Sequence, residues 1–233
     1  MKIAIMQPYF LPYIGYFQLI SAVDKFVIYD NIKYTKKGWI NRNRMLQNNQ
    51  DRVFSLPLTK DSDRLDIVGR SISADFNKQK FLNQIRGAYI KSSYFKDVFP
   101  LIEKIVFFED NNLFKFIQSS ILEICKYLEL DTEILVSSCI DADHDLQGEE
   151  RVISICQKMY ASEYINPIGG KSIYSNDNFI EKGLDLQFLQ SQFYEYQQFK
   201  GTFIPWLSIL DIIMFNSIEQ CKCLIGKYDL ISQ

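Results

Sequence analysis

The chain of 233 residues sets 26 lysines and arginines against 28 aspartates and glutamates, a formal net charge of −2, with 47% hydrophobic and 23% charged residues. That is the mix of an ordinary globular core, and a charge so near neutral excludes the broad basic field of a nucleic-acid binder. One histidine and five cysteines without a CxxC pair leave out a zinc site and a disulfide framework, so free thiols in a cytoplasmic protein are expected.

Residues 3–6 form an apolar run closed by Gln7-Pro8, too short for a signal peptide and suited to a buried strand. A loop with Pro8, Pro12 and Gly15 leads into an apolar-periodic helix, and residues 26–29 form a second buried strand ending at Asp30-Asn31. Strand, helix and strand within about thirty residues make a βαβ unit, which implies parallel pairing. Residues 33–50 read as a polar, basic loop, and residues 53–58 as a strand whose Pro57 suggests a sheet edge.

Helices are expected over residues 78–91 and 95–107. A third, opened by Asn111-Asn112, has Leu113, Ile117, Ile121, Ile124 and Leu128 on one face. Strands at 133–136, 162–165 and 186–189 alternate with helices at 148–160 and near 178–182. Residues 206–218 are apolar almost all round and predict burial, with a helix over residues 206–215. No stretch approaches the ~20 apolar residues of a membrane span. The alternation predicts a single α/β domain over residues 1–233: a doubly wound, Rossmann-like parallel sheet of about five or six strands, the first central. Residues 190–233 are expected to pack on it as a helical C-terminal extension.

In such sheets ligands bind beyond the carboxyl ends of the strands, where strand order reverses. This rule selects Gln7, Tyr9 and Tyr13 after the first strand and Asp30 after the second. It also selects Ser137 and Asn166 after later strands. The basic loop adds Tyr34, Lys37, Trp39, Asn41, Arg42 and Asn43, a set suited to clamping a phosphorylated ligand and stacking on its base or sugar. A solvated charged loop is the plainer reading of the same residues.

Asp30 at a strand end and Asp211 inside the apolar helix are the candidate catalytic bases. Asp211 must be paired or protonated in such a place, whether as a structural anchor or as a site residue. Gly169-Gly170-Lys171-Ser172 is not a P-loop, since Ile165 stands where the motif needs its first glycine. His144 reads as an exposed loop histidine. No motif names a cofactor, and no metal ligand set is visible.

The opening residues 5–17, residues 24–30 and the run from Tyr34 through Lys37 to Asn41-Arg42-Asn43 resemble the WbqC-like proteins. Tyr94-Phe95, Ser137-Ser138, Tyr164-Ile165-Asn166 with Gly169-Gly170, and residues 207–211 extend that resemblance over nearly the whole chain. It implies an association with O-antigen or other surface polysaccharide biosynthesis, and that context joined to the basic loop points to a nucleotide-linked sugar as ligand. The first loop also looks like that of the nucleotidyltransferase-type fold of pantothenate synthetases. The HxGH signature is absent, however, and Tyr13-Ile14-Gly15-Tyr16 stands in its place.

The leading expectation is a transferase that attaches an acyl or aminoacyl group to the amine of a nucleotide-linked amino sugar. An ATP-dependent adenylating ligase or nucleotidyltransferase is the alternative within enzymes. A non-catalytic sugar-nucleotide binder, or an assembly partner in the biosynthetic complex, is the alternative outside them; the chain is also a candidate homo-oligomer.

Overall fold

Strand β1 (Lys2–Met6) buries Ile3, Ala4 and Ile5 in succession, as a strand covered on both faces must. Helix α1 (Ile14–Ser21) returns the chain to β2 (Lys25–Ile28), which pairs in parallel with β1. In the computed structural model, which describes residues 1–232, this unit is the centre of a six-stranded sheet.

The chain then leaves the sheet. It forms the hairpin β3 (Arg42–Gln47) and β4 (Gln50–Ser55), followed by helices α2 (Lys78–Tyr89), α3 (Phe95–Val106) and α4 (Leu113–Tyr127). Strand β5 (Glu133–Val136) rejoins the sheet parallel to β2, and helix α5 (Gly148–Lys158) crosses to the other side of β1. There β6 (Glu163–Pro167), helix α6 (Asn176–Glu181) and β7 (Asp185–Ser191) extend the parallel sheet. Helices α7 (Ile209–Phe215) and α8 (Ile218–Ile225) precede β8 (Tyr228–Ser232), the antiparallel edge.

The strand order β5-β2-β1-β6-β7-β8 turns outward in both directions from β1, so the crevice between β1 and β6 is the point where the order reverses. Both faces of the sheet are covered. Ala4, Phe26 and Ile28 pack with α1, α4 and α7 on one side. Ile3, Ile5 and Val27 pack with Val152, Ile155 and Phe179 of α5 and α6 on the other. The architecture is the doubly wound α/β fold that the alternating pattern predicts.

Four expectations change. The strand expected at residues 53–58 is β4, in an antiparallel pair with β3 rather than at the edge of the main sheet. The half of the basic loop from Arg42 onward is strand. Its turn is Asn48-Asn49, both left-handed at φ 53° and 57°, a conformation asparagine tolerates better than most side chains.

The helix expected over residues 206–215 starts three residues later, at Ile209, and a second helix follows it from Ile218. Ser208 caps the first through Leu210 N, Asn216 is extended, and Ser217 opens the second in a capping box with Gln220. Residues 190–233 also supply β8, so their contribution is not helical alone. Among the described residues no helix is long and apolar enough to cross a membrane.

Candidate functional site

The loop after β1 is held from three directions. Phe10 N donates to Ile40 O at 2.8 Å, and Leu11 takes a left-handed φ of 43°. The Leu11 carbonyl accepts from Asn43 Nδ2 at 2.9 Å and from Ser208 Oγ at 2.6 Å, while Ile209 N donates to Pro12 O at 2.7 Å. A bulky residue in this region of backbone space is strained, and such strain persists where the surroundings over-determine it. Gly15 completes the arrangement, since a Cβ there would lie 2.4 Å from the Tyr13 ring. The first loop, the β3 hairpin and the entrance of α7 therefore form one rigid rim.

Two clefts open along that rim. The first, about 430 Å³, lies at the β1/β6 crevice and is lined by Gln7, Tyr9, Tyr29, Asn166, Gly170 and Gly148 among others. Gly148 begins α5, so a helix N-terminus borders this cleft. Asn166 is buried, with its Oδ1 accepting from Tyr164 Oη at 3.1 Å, and Gly170 makes room for it. A Cβ on Gly170 would stand 1.9 Å from Asn166 Nδ2.

The second cleft, about 490 Å³, is lined by Tyr9, Tyr13, Trp39, Asn43, Arg44, Gln190, Ser191 and Trp206, with Ile168 and Leu189. Tyr9 lines both clefts and divides them. Burial pushes the phenols of Tyr9 and Tyr13 above their ordinary range, so at neutral pH both are uncharged hydroxyls.

Asp30 lies below the first cleft with 1% of its surface exposed. Its Oδ2 accepts from Ser138 Oγ at 2.7 Å, and its Oδ1 accepts from Ser138 N at 3.0 Å. Ser137 Oγ sits 2.8 Å from Asp30 Oδ1 and 2.6 Å from Asn31 Oδ1, and accepts from Asp30 N at 3.2 Å. This knot ties the end of β2 to the turn after β5.

His144, expected to be exposed, is half-buried beside the knot. Its Nε2 donates to Ile140 O at 2.8 Å, which leaves Nδ1 to accept from Asn31 Nδ2 and Arg151 Nη2, each at 3.2 Å.

Asp211 is fully buried without an arginine partner. Tyr89 Oη at 2.9 Å, Tyr196 Oη at 2.5 Å and Gln198 Nε2 at 2.8 Å all donate to it, and Leu46 N donates in turn to Tyr89 Oη. Burial holds its carboxyl above the usual carboxylate range, with the three donors opposing that shift.

Of the residues selected from the sequence, Gln7, Tyr9 and Asn166 meet in the first cleft. Tyr13, Trp39 and Asn43 join Tyr9 in the second. Tyr34 and Asn41 are committed to the scaffold. Tyr34 Oη donates to Asn41 Oδ1 at 2.9 Å, Asn41 Nδ2 to Leu56 O at 2.7 Å, and the Arg70 guanidinium covers the Tyr34 ring at 4.7 Å. Lys37 is exposed nearby. Arg42 lies over Trp39 at 5.3 Å and donates to the carbonyls of Gly38 and Lys37. Asp30, Ser137 and Asp211 line neither cleft.

Trp206, Gln190 and Ser191 of the second cleft and Tyr29 and Gly148 of the first were not selected from the sequence. Ser208 is a helix-capping residue two positions later, a signal that leaves Trp206 in the loop before the helix.

A doubly wound α/β protein with a divided cleft at its strand-order reversal is thus the class that the fold and site define. A family model for the WbqC-like protein family matches residues 7–223, and the chain belongs to that family. It is similar to "Uncharacterized protein Rv1507c" of Mycobacterium tuberculosis, 28% identical over 221 residues that cover 92% of this chain and 93% of the relative.

Proposed function

We propose that the protein is a transferase that attaches an acyl or aminoacyl group to the amine of a nucleotide-linked amino sugar, in O-antigen or other surface polysaccharide biosynthesis. The observation that carries this reading is the pair of clefts that share Tyr9 in their linings. A nucleotide-linked sugar has a phosphate-bearing end and a sugar end, and two adjoining clefts can hold one each and so fix the amine where it meets the acyl donor. The first cleft, bordered by the N-terminus of α5, suits the phosphate-bearing end of a nucleotide.

In the reaction the sugar amine attacks the carbonyl carbon of an activated acyl donor. The donor's leaving group departs with the bonding pair, and the amine proton passes to solvent or a base. Asp30 and Asp211 are both enclosed by their donors, so in this reading they hold the rim in shape. The amides of Gly169 and Gly170, in the turn whose Ile168 lines the second cleft and whose glycines line the first, are the candidates for stabilising the developing oxyanion.

The test is calorimetric titration with dTDP- and UDP-linked sugars, followed by mass spectrometry of the amino-sugar nucleotide incubated with activated acyl donors. Binding of a sugar nucleotide with mass gain on its amine is the expected result. Absence of any binding at millimolar ligand refutes it.

A further inference from the structure

The chain has only two tryptophans, and they line the same cleft. Trp39 is 43% exposed and Trp206 44%, although tryptophan is highly buried on average. Trp206 is also held in a left-handed backbone conformation, φ 59°, which is costly for a bulky side chain. The surroundings enforce that conformation. Arg44 Nη2 donates to Trp206 O at 3.0 Å, Arg44 Nη1 pairs with Asp51 at 3.1 Å, and Ser208 N donates to Arg44 O at 2.9 Å. The Tyr13 ring meets the Trp206 indole edge-on, with centroids 6.5 Å apart. On the opposite indole, the Arg42 guanidinium lies over the Trp39 ring and is tied to its own loop. Two rings that the core does not need are held at a cleft by specific contacts, which packing alone leaves unexplained.

The rest of the cleft indicates its occupant. Arg44, the cation in its lining, is neutralised by Asp51. The remaining polar groups are amides and uncharged hydroxyls, from Asn43, Gln190, Ser191, Tyr9 and Tyr13. Aromatic faces combined with neutral hydrogen-bonding groups suit a ligand with an apolar face and a rim of hydroxyls, and do not suit a phosphate.

We infer that the Trp39–Trp206 cleft is a stacking subsite for a pyranose ring. The inference rests on the transferase reading for its place beside the nucleotide, and it divides the site. The phosphate-bearing part lies in the β1/β6 cleft and the sugar lies across Tyr9.

Because no other tryptophan exists, Trp39→Phe and Trp206→Phe each leave a single fluorophore at the subsite. Titration of both variants with dTDP-glucose and UDP-N-acetylglucosamine should change the emission of each. dTDP and UDP alone should bind by calorimetry and leave both emissions unchanged. Trp206→Ala should weaken sugar-nucleotide binding about tenfold or more without altering affinity for dTDP or UDP.

The same emission change produced by dTDP or UDP alone would assign the cleft to the base and overturn the inference. So would calorimetric binding of a sugar nucleotide with both emissions silent, which leaves the transferase reading standing. Maltotriose and N,N′-diacetylchitobiose at millimolar concentration probe the subsite without a nucleotide. Their response sustains it even where sugar nucleotides fail to bind, and silence from every sugar probe refutes it.

Discussion

Asp211 offers the sharpest separation between an anchor and a base. Removing the carboxylate in Asp211→Ala leaves the protons of Tyr89, Tyr196 and Gln198 without their acceptor, in a place where Asp211 is fully buried. An orphaned buried group costs about 1–3 kcal/mol, so the loss is about 3–5 kcal/mol once partial relaxation is allowed for. For a chain of this size that corresponds to a fall in Tm of about 6–20 °C.

The isostere Asp211→Asn tests the charge separately. Burial raises the folded-state pKa of Asp211 above its unfolded value. The sign follows: the stability this raises is fully present below the unfolded pKa, about 3.9, and is lost as pH rises through the folded value. Asparagine mimics the protonated form at every pH. The difference in unfolding free energy between variant and wild type should therefore move in the variant's favour as pH rises through that window. Urea unfolding of both proteins from pH 3.5 to 8 measures it. A difference that stays flat with pH, or an alanine variant with unchanged Tm, refutes the anchor argument. Loss of activity in Asp211→Asn with its stability intact would place the carboxylate in the chemistry instead.

Gly170→Ala should lose about 1–3 kcal/mol by urea unfolding, because its Cβ would drive Asn166 off Tyr164, whereas Gly169→Ala, with open space around it, should be neutral. Ser137→Ala removes the hydroxyl that accepts from Asp30 N and serves Asp30 and Asn31, and should cost about 1–3 kcal/mol in the same assay. Thiol titration of native protein should find Cys139 and Cys223 reactive. Cys125, Cys156 and Cys221, whose thiols burial pushes up to about 12, should react only after unfolding. Early reaction of any of these three would show the core opening locally.

Legibility of the fold followed the strength of local signals. The runs at β1 and β2 lack polar alternation, and the apolar face of α4 repeats at helical spacing, so burial alone defines them. The β3 strand was obscured because Arg42, Asn43 and Arg44 carry loop-like side chains. Only the pairing across the Asn48-Asn49 turn makes them a strand. The edge strand β8 is mostly exposed and has little apolar pattern to read.

The site divides along a different line. The strand-end rule brought Gln7, Tyr9 and Asn166 together, because the topology of a parallel sheet brings them there whatever the loops do. It also selected Asp30, Tyr34 and Asn41, whose polar atoms the scaffold uses. Residue type shows that a side chain has donors and acceptors. It does not show whether neighbours distant in the chain consume them, as Ser137 and Ser138 do for Asp30 across more than a hundred residues. Trp206 presents the reverse case, since its type and apolar neighbours read as core while its fixed backbone turns the indole to the cleft. The better guide to a ligand is therefore the side chain whose exposure costs the fold something and whose contacts hold it there. By that criterion Trp39 and Trp206 outrank both aspartates.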